Sequence, residues 1–274
     1  MIKIQYNTIP ISNLLEMFPN QPYITILRKM AQYRNIYRYD SFEQLHFELI
    51  LRTATIKAAN DLYKSGVEFA TFSTTISNPQ YWNRSGKGEI ILKRGRLPSD
   101  AIQDIFNNGT LYAFECATAM LVVFYKAVLD CIDVRAFNSL YSNLVLYDWK
   151  YDKDLYIETT IGDDFLLGDC IYFKNPQFDP NTPQWQGENA IILGEDLYFG
   201  HGIGIGSAAF IIENLNERRQ PGANRSAYLK DQVTRPGYKS LAKYRKKDLF
   251  IPSRSKKTPT DFILATIGST TFIT

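Results

Sequence analysis

Apolar positions in residues 41–66, SFEQLHFELILRTATIKAANDLYKSG, recur three and four apart. Phe42, Leu45, Leu49, Ile56, Ala59 and Tyr63 form a stripe, which predicts an amphipathic helix. Ser41 and Gln44 make a capping box before it, and Gly66 is a natural stop after it. His46 borders the stripe and reads as a packed histidine. A second helix is predicted over about 115–131, within LYAFECATAMLVVFYKAVLDC (111–131). Lys126 and Asp130 interrupt its apolar run, so it reads as a buried helix and not a membrane span. Shorter helices are predicted over 98–108, 134–143 and 208–219. EFATFS (68–73) reads as a strand, and YWNRSGKGEIILK (81–93) as a hairpin around Ser85-Gly86-Lys87-Gly88.

Beyond residue 143 the pattern changes. LVLYDW, DFLLGDCIYF, GENAIIL and LYFGHGIGI are short, apolar or alternating, and separated by Gly, Asp and Pro. They predict an antiparallel sheet. Helices first and strands later predict one α+β domain, with a central helix packed on that sheet. After about residue 248 the pattern fades into SRSKKTPTD, a linker composition, and a short apolar end. The expected division is a catalytic unit over 1–247, with 1–40 as a variable edge, and a C-terminal extension over 248–274.

Composition excludes several classes. The three cysteines, Cys116, Cys131 and Cys170, are too few for a disulfide framework, and the odd count fits a reducing compartment. The two histidines, His46 and His201, show no zinc-site spacing with them. GHGIGIG around His201 does not satisfy GxGxxG. No signal-peptide core opens the chain, so a soluble protein outside the usual export route is expected. The net charge of +3 hides an asymmetry: residues 218–257 hold 13 Lys/Arg against 2 Asp/Glu. No nucleic-acid motif accompanies that basic stretch, which reads first as a solvated face. Contact with an acidic surface is its functional alternative.

Cys116 carries the candidate chemistry. It falls in the first turn of its helix, where free N–H groups and the helix dipole stabilise a thiolate. A buried inert cysteine is the commoner fate of this residue type. Glu115 beside it favours the nucleophile, because an acid is costly to bury without purpose. A nucleophilic thiol needs a base. If strands 188–193 and 196–202 pair across Gly194-Glu195 or Glu195-Asp196, Glu188 and His201 share one face. A three-residue loop would separate them. The 14% aromatic content is high, and from the residues alone Phe69, Trp149 and Trp185 read as core.

A helix-borne cysteine followed by a sheet with polar partners is the order of papain-like and NlpC/P60-like thiol enzymes. A closer resemblance lies in KSGVEFATF, LYAFECATA, LYDWKY, LGDCIYFKNPQFDP, QWQGENAIILGEDLYFGHGIGI and SAYL. These collinear stretches, spanning about 40–245, resemble the spore-coat transglutaminases of endospore-forming bacteria, a protein-glutamine γ-glutamyltransferase family. The resemblance implies a single compact NlpC/P60-like domain. It implies acyl transfer from a glutamine carboxamide to a lysine amine, releasing ammonia and leaving an isopeptide crosslink. No cofactor or metal, calcium included, is implied.

The nucleophile falls on Cys116 and the catalytic carboxylate on Glu188. Glu115 and His201 fall on active-site positions, and Phe69, Trp149 and Trp185 on aromatics lining the substrate passage. The partners implied are spore-coat proteins as glutamine and lysine donors, with no nucleic acid and no membrane. A monomer in the mother-cell cytoplasm and spore coat is expected. A cell-wall γ-glutamyl peptidase of the same fold class, normally with a histidine base, is the rival enzyme reading. A structural coat protein is the non-enzyme alternative. Glutamate is an odd base for a thiol, since ordinary values near ~4.3 and ~8.5 lie about 4 units apart. Burial and the second carboxylate raise one Glu. Two acids also raise the thiol, which the helix N-terminus must offset.

Overall fold

The first 40 residues build a small sheet and two helices. β1 (Ile2–Ile4) pairs antiparallel with β2 (Asn7–Thr8), then come α1 (Ile11–Met17), α2 (Tyr23–Gln32) and β3 (Tyr37–Tyr39), which joins β1 in parallel. Leu14, Ile26, Leu27 and Met30 are fully buried, so this edge is part of the core. The structure, a computed structural model, describes residues 1–247 and the backbone of the strands Leu264–Ile267 and Thr270–Ile273. Those two strands pair with each other, and the second meets β2 at Thr270–Thr8. The linker reading over 253–261 lies outside the described residues, as does part of the basic stretch.

α3 (Phe42–Lys64) starts as expected, with Ser41 Oγ accepting from Gln44 N at 3.3 Å. The other arm of the cap runs from Asp40 N to Gln44 Oε1, one residue further out than a capping box. Leu45, Leu49 and Ala59 are buried, but Tyr63 is 54% exposed. His46 packs against the rings of Phe18 and Tyr23, which also touch each other.

The predicted stripe also missed Glu48 and Arg52, one helical turn apart and both buried. Arg52 donates to Glu48 at 2.9 Å, to Leu167 O at 3.0 Å and to Asp169 at 2.6 Å. Arg235 donates to both oxygens of Asp169, each at 2.8 Å. Burial alone would raise the Asp169 pKa, but Arg235 and Arg52 outweigh it and hold it low. Asp169→Asn would therefore strand buried guanidinium charge. It is expected to cost about 3–5 kcal/mol in urea unfolding at neutral pH. A cost near zero would mean that the network only fills space.

β4 (Glu68–Phe69), β5 (Trp82–Arg84), β6 (Ile90–Leu92), α4 (Pro98–Asn107), β7 (Ala113–Phe114), α5 (Cys116–Cys131), α6 (Val134–Leu140) and β8 (Val145–Leu146) follow. β5 and β6 form the predicted hairpin. EFATFS is strand only at β4, which pairs in parallel with β7; Phe72–Thr74 is a 3₁₀ turn. LVLYDW does not join the large sheet, because β8 pairs with β6.

That sheet is built from β9 (Glu158–Ile161), β10 (Cys170–Lys174), β11 (Gly187–Gly194), β12 (Leu197–Gly200), β13 (Gly204–Gly206) and, after α7 (Ala208–Asn216), β14 (Tyr228–Arg235). Its order is β13-β12-β11-β10-β14-β9, with every neighbouring pair antiparallel. α5 and α3 cover one face, against Cys170, Ile191, Leu193 and Phe199. Ile211 and Leu215 of α7, with the N-terminal helices, cover the other, against Ile171, Phe173, Ala190 and Ile192. Coverage of both faces explains why Gly187–Leu193 is buried without alternation. The chain is thus α+β, with a central buried helix on an antiparallel sheet.

Candidate active site

Cys116 is the first residue of α5 and is 8% exposed. Glu115 is the N-cap. Its Oε2 accepts from Ala117 N at 2.7 Å, and its Oε1 from Thr118 N and Thr118 Oγ1, both at 2.6 Å. Thr118 Oγ1 accepts in turn from Asp148 N at 3.0 Å, which pins the segment carrying Trp149. The free N–H groups expected to stabilise a thiolate are therefore spent on Glu115. The offset expected of the helix start is not delivered: burial first, then the charges of Glu188 and Glu115, push the Cys116 thiol well up. Asn189 counters them in part, its Nδ2 donating to Sγ at 3.6 Å.

Glu188 is fully buried. Neither of its oxygens meets a partner at hydrogen-bond geometry. Burial, then the charge of Glu115, raise its pKa well above the carboxylate range; the His201 N–H and Arg218 pull the other way. Gly200 makes this placement possible. A Cβ there would sit 2.9 Å from Glu188 Cγ. An unpaired buried carboxylate costs stability, and such groups concentrate at functional sites.

The turn is the second predicted one, with Gly194 paired to Leu197 across Glu195-Asp196, but a bulge just before it shifts the register further along the strands. Ala190 pairs with Gly200, Ile191 with Phe199 and Ile192 with Tyr198, and a bulge precedes Gly194. One step further sets His201 across from Asn189. Glu188 and His201 therefore lie on opposite faces of the strand pair, and Asn189 faces Cys116 instead. The bulge adds the residue that the two-residue turns left out.

His201 Nε2 lies 3.1 Å from Phe114 O and 3.2 Å from Glu68 O. Both neighbours only accept, so Nε2 carries the proton and donates to them. Burial lowers the His201 pKa to about 4, so the ring is neutral at physiological pH. His201 thus ties β4 to β7, the strand that leads directly into Glu115 and Cys116.

The three aromatics do not form one group. Phe69 stacks with Trp185, centroids 5.1 Å apart at 20°. Gly202, at φ +99°, leaves room for the Phe69 ring, whose Cδ2 would lie 2.6 Å from a Cβ there. Trp149 is half-buried on the separate segment after β8, against the α5 core. Two neighbours escaped sequence reasoning besides Asn189. Tyr172, paired across from Asn189, has its pKa pushed up to about 12 by burial and then by Cys116 and Glu188. Arg218 lies over the Trp185 ring, 4.2 Å from its centre. Only alternation from Cys116's partner strand would have flagged Asn189, and that required the register.

This arrangement suits acyl transfer: a buried thiol, a buried carboxylate of raised pKa whose charge acts on it, and a stacked aromatic pair whose Phe69 lies on the strand paired with β7. Comparison with known proteins agrees. The family model described as Protein-glutamine gamma-glutamyltransferase matches residues 1–245. A protein-glutamine gamma-glutamyltransferase of Bacillus mycoides (strain KBAB4) is 45% identical over 254 residues, covering 90% of each chain. One from Bacillus cereus (strain AH187) is 44% identical over 269 residues, covering 96% of this chain and 95% of its own. A solved transglutaminase from Geobacillus stearothermophilus, without its C-terminal extension, superposes with a TM-score of 0.73 at 53% identity. It covers 75% of this chain and 99% of its own. With the match running through β7, α5 and β11 alike, the chain belongs to the protein-glutamine gamma-glutamyltransferase family.

Proposed function

We propose that the chain performs its family's crosslinking through a Cys116 thioester, with Glu188 as the base. The observation that carries this is Glu188 itself, fully buried, unpartnered and close enough to raise the Cys116 pKa. Sγ attacks the glutamine Cδ as Glu188 takes the thiol proton. The C–N bond then breaks, and ammonia leaves with that proton. A lysine Nζ attacks the thioester, gives its proton to Glu188 and frees the thiol. The net change joins a carboxamide and an amine into an isopeptide, with one ammonia released.

Water competes for the thioester, so exclusion is part of the chemistry. Phe69 and Trp185 shield the thiol in this reading, with Trp149 on its other flank. Glu115 is the cap that holds Cys116 and the charge that keeps Glu188 high. His201 is a positioning residue for the strands presenting Cys116 and Phe69. Residues 1–247 form an NlpC/P60-like, papain-like catalytic unit, and 248–274 an extension. The substrates are spore-coat proteins, and the enzyme acts without calcium as a monomer in the mother cell and the coat. These last points rest on the resemblance.

The test is incubation with a glutamine-containing protein and a fluorescent primary amine, with and without EDTA. The expected outcome is covalent incorporation, matched by ammonia and unchanged by the chelator. Ammonia release without incorporation would favour the γ-glutamyl peptidase reading. Activity lost in EDTA and restored by calcium would sink calcium independence.

A further inference from the structure

The polar groups that flank Cys116 have their donors spent elsewhere. Ala117 N and Thr118 N donate to Glu115. His201 Nε2 is held on Phe114 O and Glu68 O. Tyr172 shares a face with Asn189 across β10 and β11, but its hydroxyl runs along the strand and donates to Gln186 O at 3.4 Å. A Cβ at Gly187 would lie 2.2 Å from that hydroxyl. Among the described residues, the side chain that donates to Sγ is Asn189, with its Nδ2 3.6 Å away. β11 is paired on both sides, which holds that amide in place.

Asn189 is 8% exposed. An amide buried there costs free energy unless its hydrogen bonds compensate. A neutral thiol is a weak acceptor and compensates poorly. A thiolate is a strong one, because a hydrogen bond to an ionised group is shorter and stronger. The contact therefore strengthens as charge gathers on sulfur, which is the differential stabilisation that lowers a barrier. We propose that Asn189 is a catalytic residue: its side-chain N–H, in place of the helix N–H groups taken by Glu115, stabilises the charge on Sγ as the thiol is deprotonated for attack and again as the lysine expels it from the thioester. This rests on the Cys116 thioester reading. The thiol proton goes to the base, and Nδ2 keeps both of its own. The acids Glu115 and Glu188 oppose Asn189, while His201 and Tyr172 are neutral at physiological pH.

Asn189→Leu removes the donor at nearly the same shape, and Asn189→Asp replaces it with an acceptor. Two readouts decide: kcat/KM for amine incorporation, and the rate at which iodoacetamide labels Cys116 between about pH 7 and 10, followed by peptide mass spectrometry. Thermal melts check folding. Both variants are expected to lose about 10- to 100-fold in kcat/KM, the worth of a hydrogen bond to a charged group. Labelling is expected to slow about three- to thirtyfold at each pH, since the thiolate fraction falls while its nucleophilicity rises in part. A merely structural amide predicts the opposite sign, because loosened packing exposes the thiol and speeds labelling. Folded variants that label as fast as the parent, or faster, overturn the inference. Unsubstituted Asn189 gives a check that needs neither variant to fold. In enzyme labelled at the asparagine side-chain nitrogen, one amide is expected to shift as the thiol ionises between about pH 8 and 11, and to stay still in Cys116→Ala. The absence of such an amide also overturns the inference. If the parent enzyme incorporates no amine, the transferase reading fails, and labelling still decides whether Asn189 supports the thiolate.

Discussion

Cys116→Ala is expected to reduce amine incorporation to background, while Cys131→Ala and Cys170→Ala retain most of it. Removing a nucleophile costs on the order of 10⁶ in rate. The other two thiols sit in the packed core at 1% exposure, without a carboxylate cap or an amide donor of the Asn189 kind. Burial, followed by Asp130, pushes Cys131 up to about 12, and burial raises Cys170 as well. Truncating either removes a few packed atoms, worth about 1 kcal/mol of stability. Equal loss in all three variants would make the thiols a folding matter. The raised Cys116 pKa adds a signature. Its thiolate fraction grows with pH, so alkylation is expected to keep accelerating above neutrality. A rate already flat at pH 7 would indicate a free thiolate and contradict the helix-cap geometry.

Glu188→Gln is expected to lose about 10²–10⁴-fold in kcat/KM, the usual contribution of a general base. His201→Ala is expected to lose far less rate and to show its main effect in stability, about 1–3 kcal/mol, as the Phe114 and Glu68 carbonyls lose their shared donor. Glu115→Gln falls between the two, because it weakens the cap on Ala117 and Thr118.

The pH profiles separate these roles further. The base works when ionised, and the Glu188 pKa is raised. Activity should therefore fall with acid at a pH above the ordinary carboxylate range. Glu115→Gln removes one cause of that rise and should move the acid limb down. If His201→Ala is the dead variant and Glu188→Gln is nearly normal, the site is an ordinary cysteine–histidine dyad and the assignment is wrong.

The sequence exposed the parts of this molecule whose cause is local. α3 and its Ser41 start, the β5–β6 hairpin, α4 and α5 follow from apolar spacing, capping residues and turn residues, which act within a few positions of one another. Cys116 at a helix start was legible for the same reason. β14 was not. Its YLKDQVTR pattern is largely polar, and pairing on both sides makes it a strand. β8 left its expected sheet because β6 offered the free edge.

Within the site, local chemistry identified an acid next to a thiol but not its job. Glu115 is a cap because its oxygens reach the N–H groups of its own helix, and capping them removes the thiolate stabilisation that a bare helix start implied. The Glu188–His201 relation turned on one bulged residue near Gly194. Side chains alternate with period two, so a single-residue slip reverses every partner. Asn189, Arg218 and the buried Glu48–Arg52–Asp169–Arg235 network come from segments far apart in the chain. Their effects depend on distance and burial, which no short stretch encodes. Residue types and spacing were enough for a helix-borne thiol on an antiparallel sheet. Which carboxylate stays buried and unpaired, and which histidine nitrogen holds its proton, depends on the packing of remote strands.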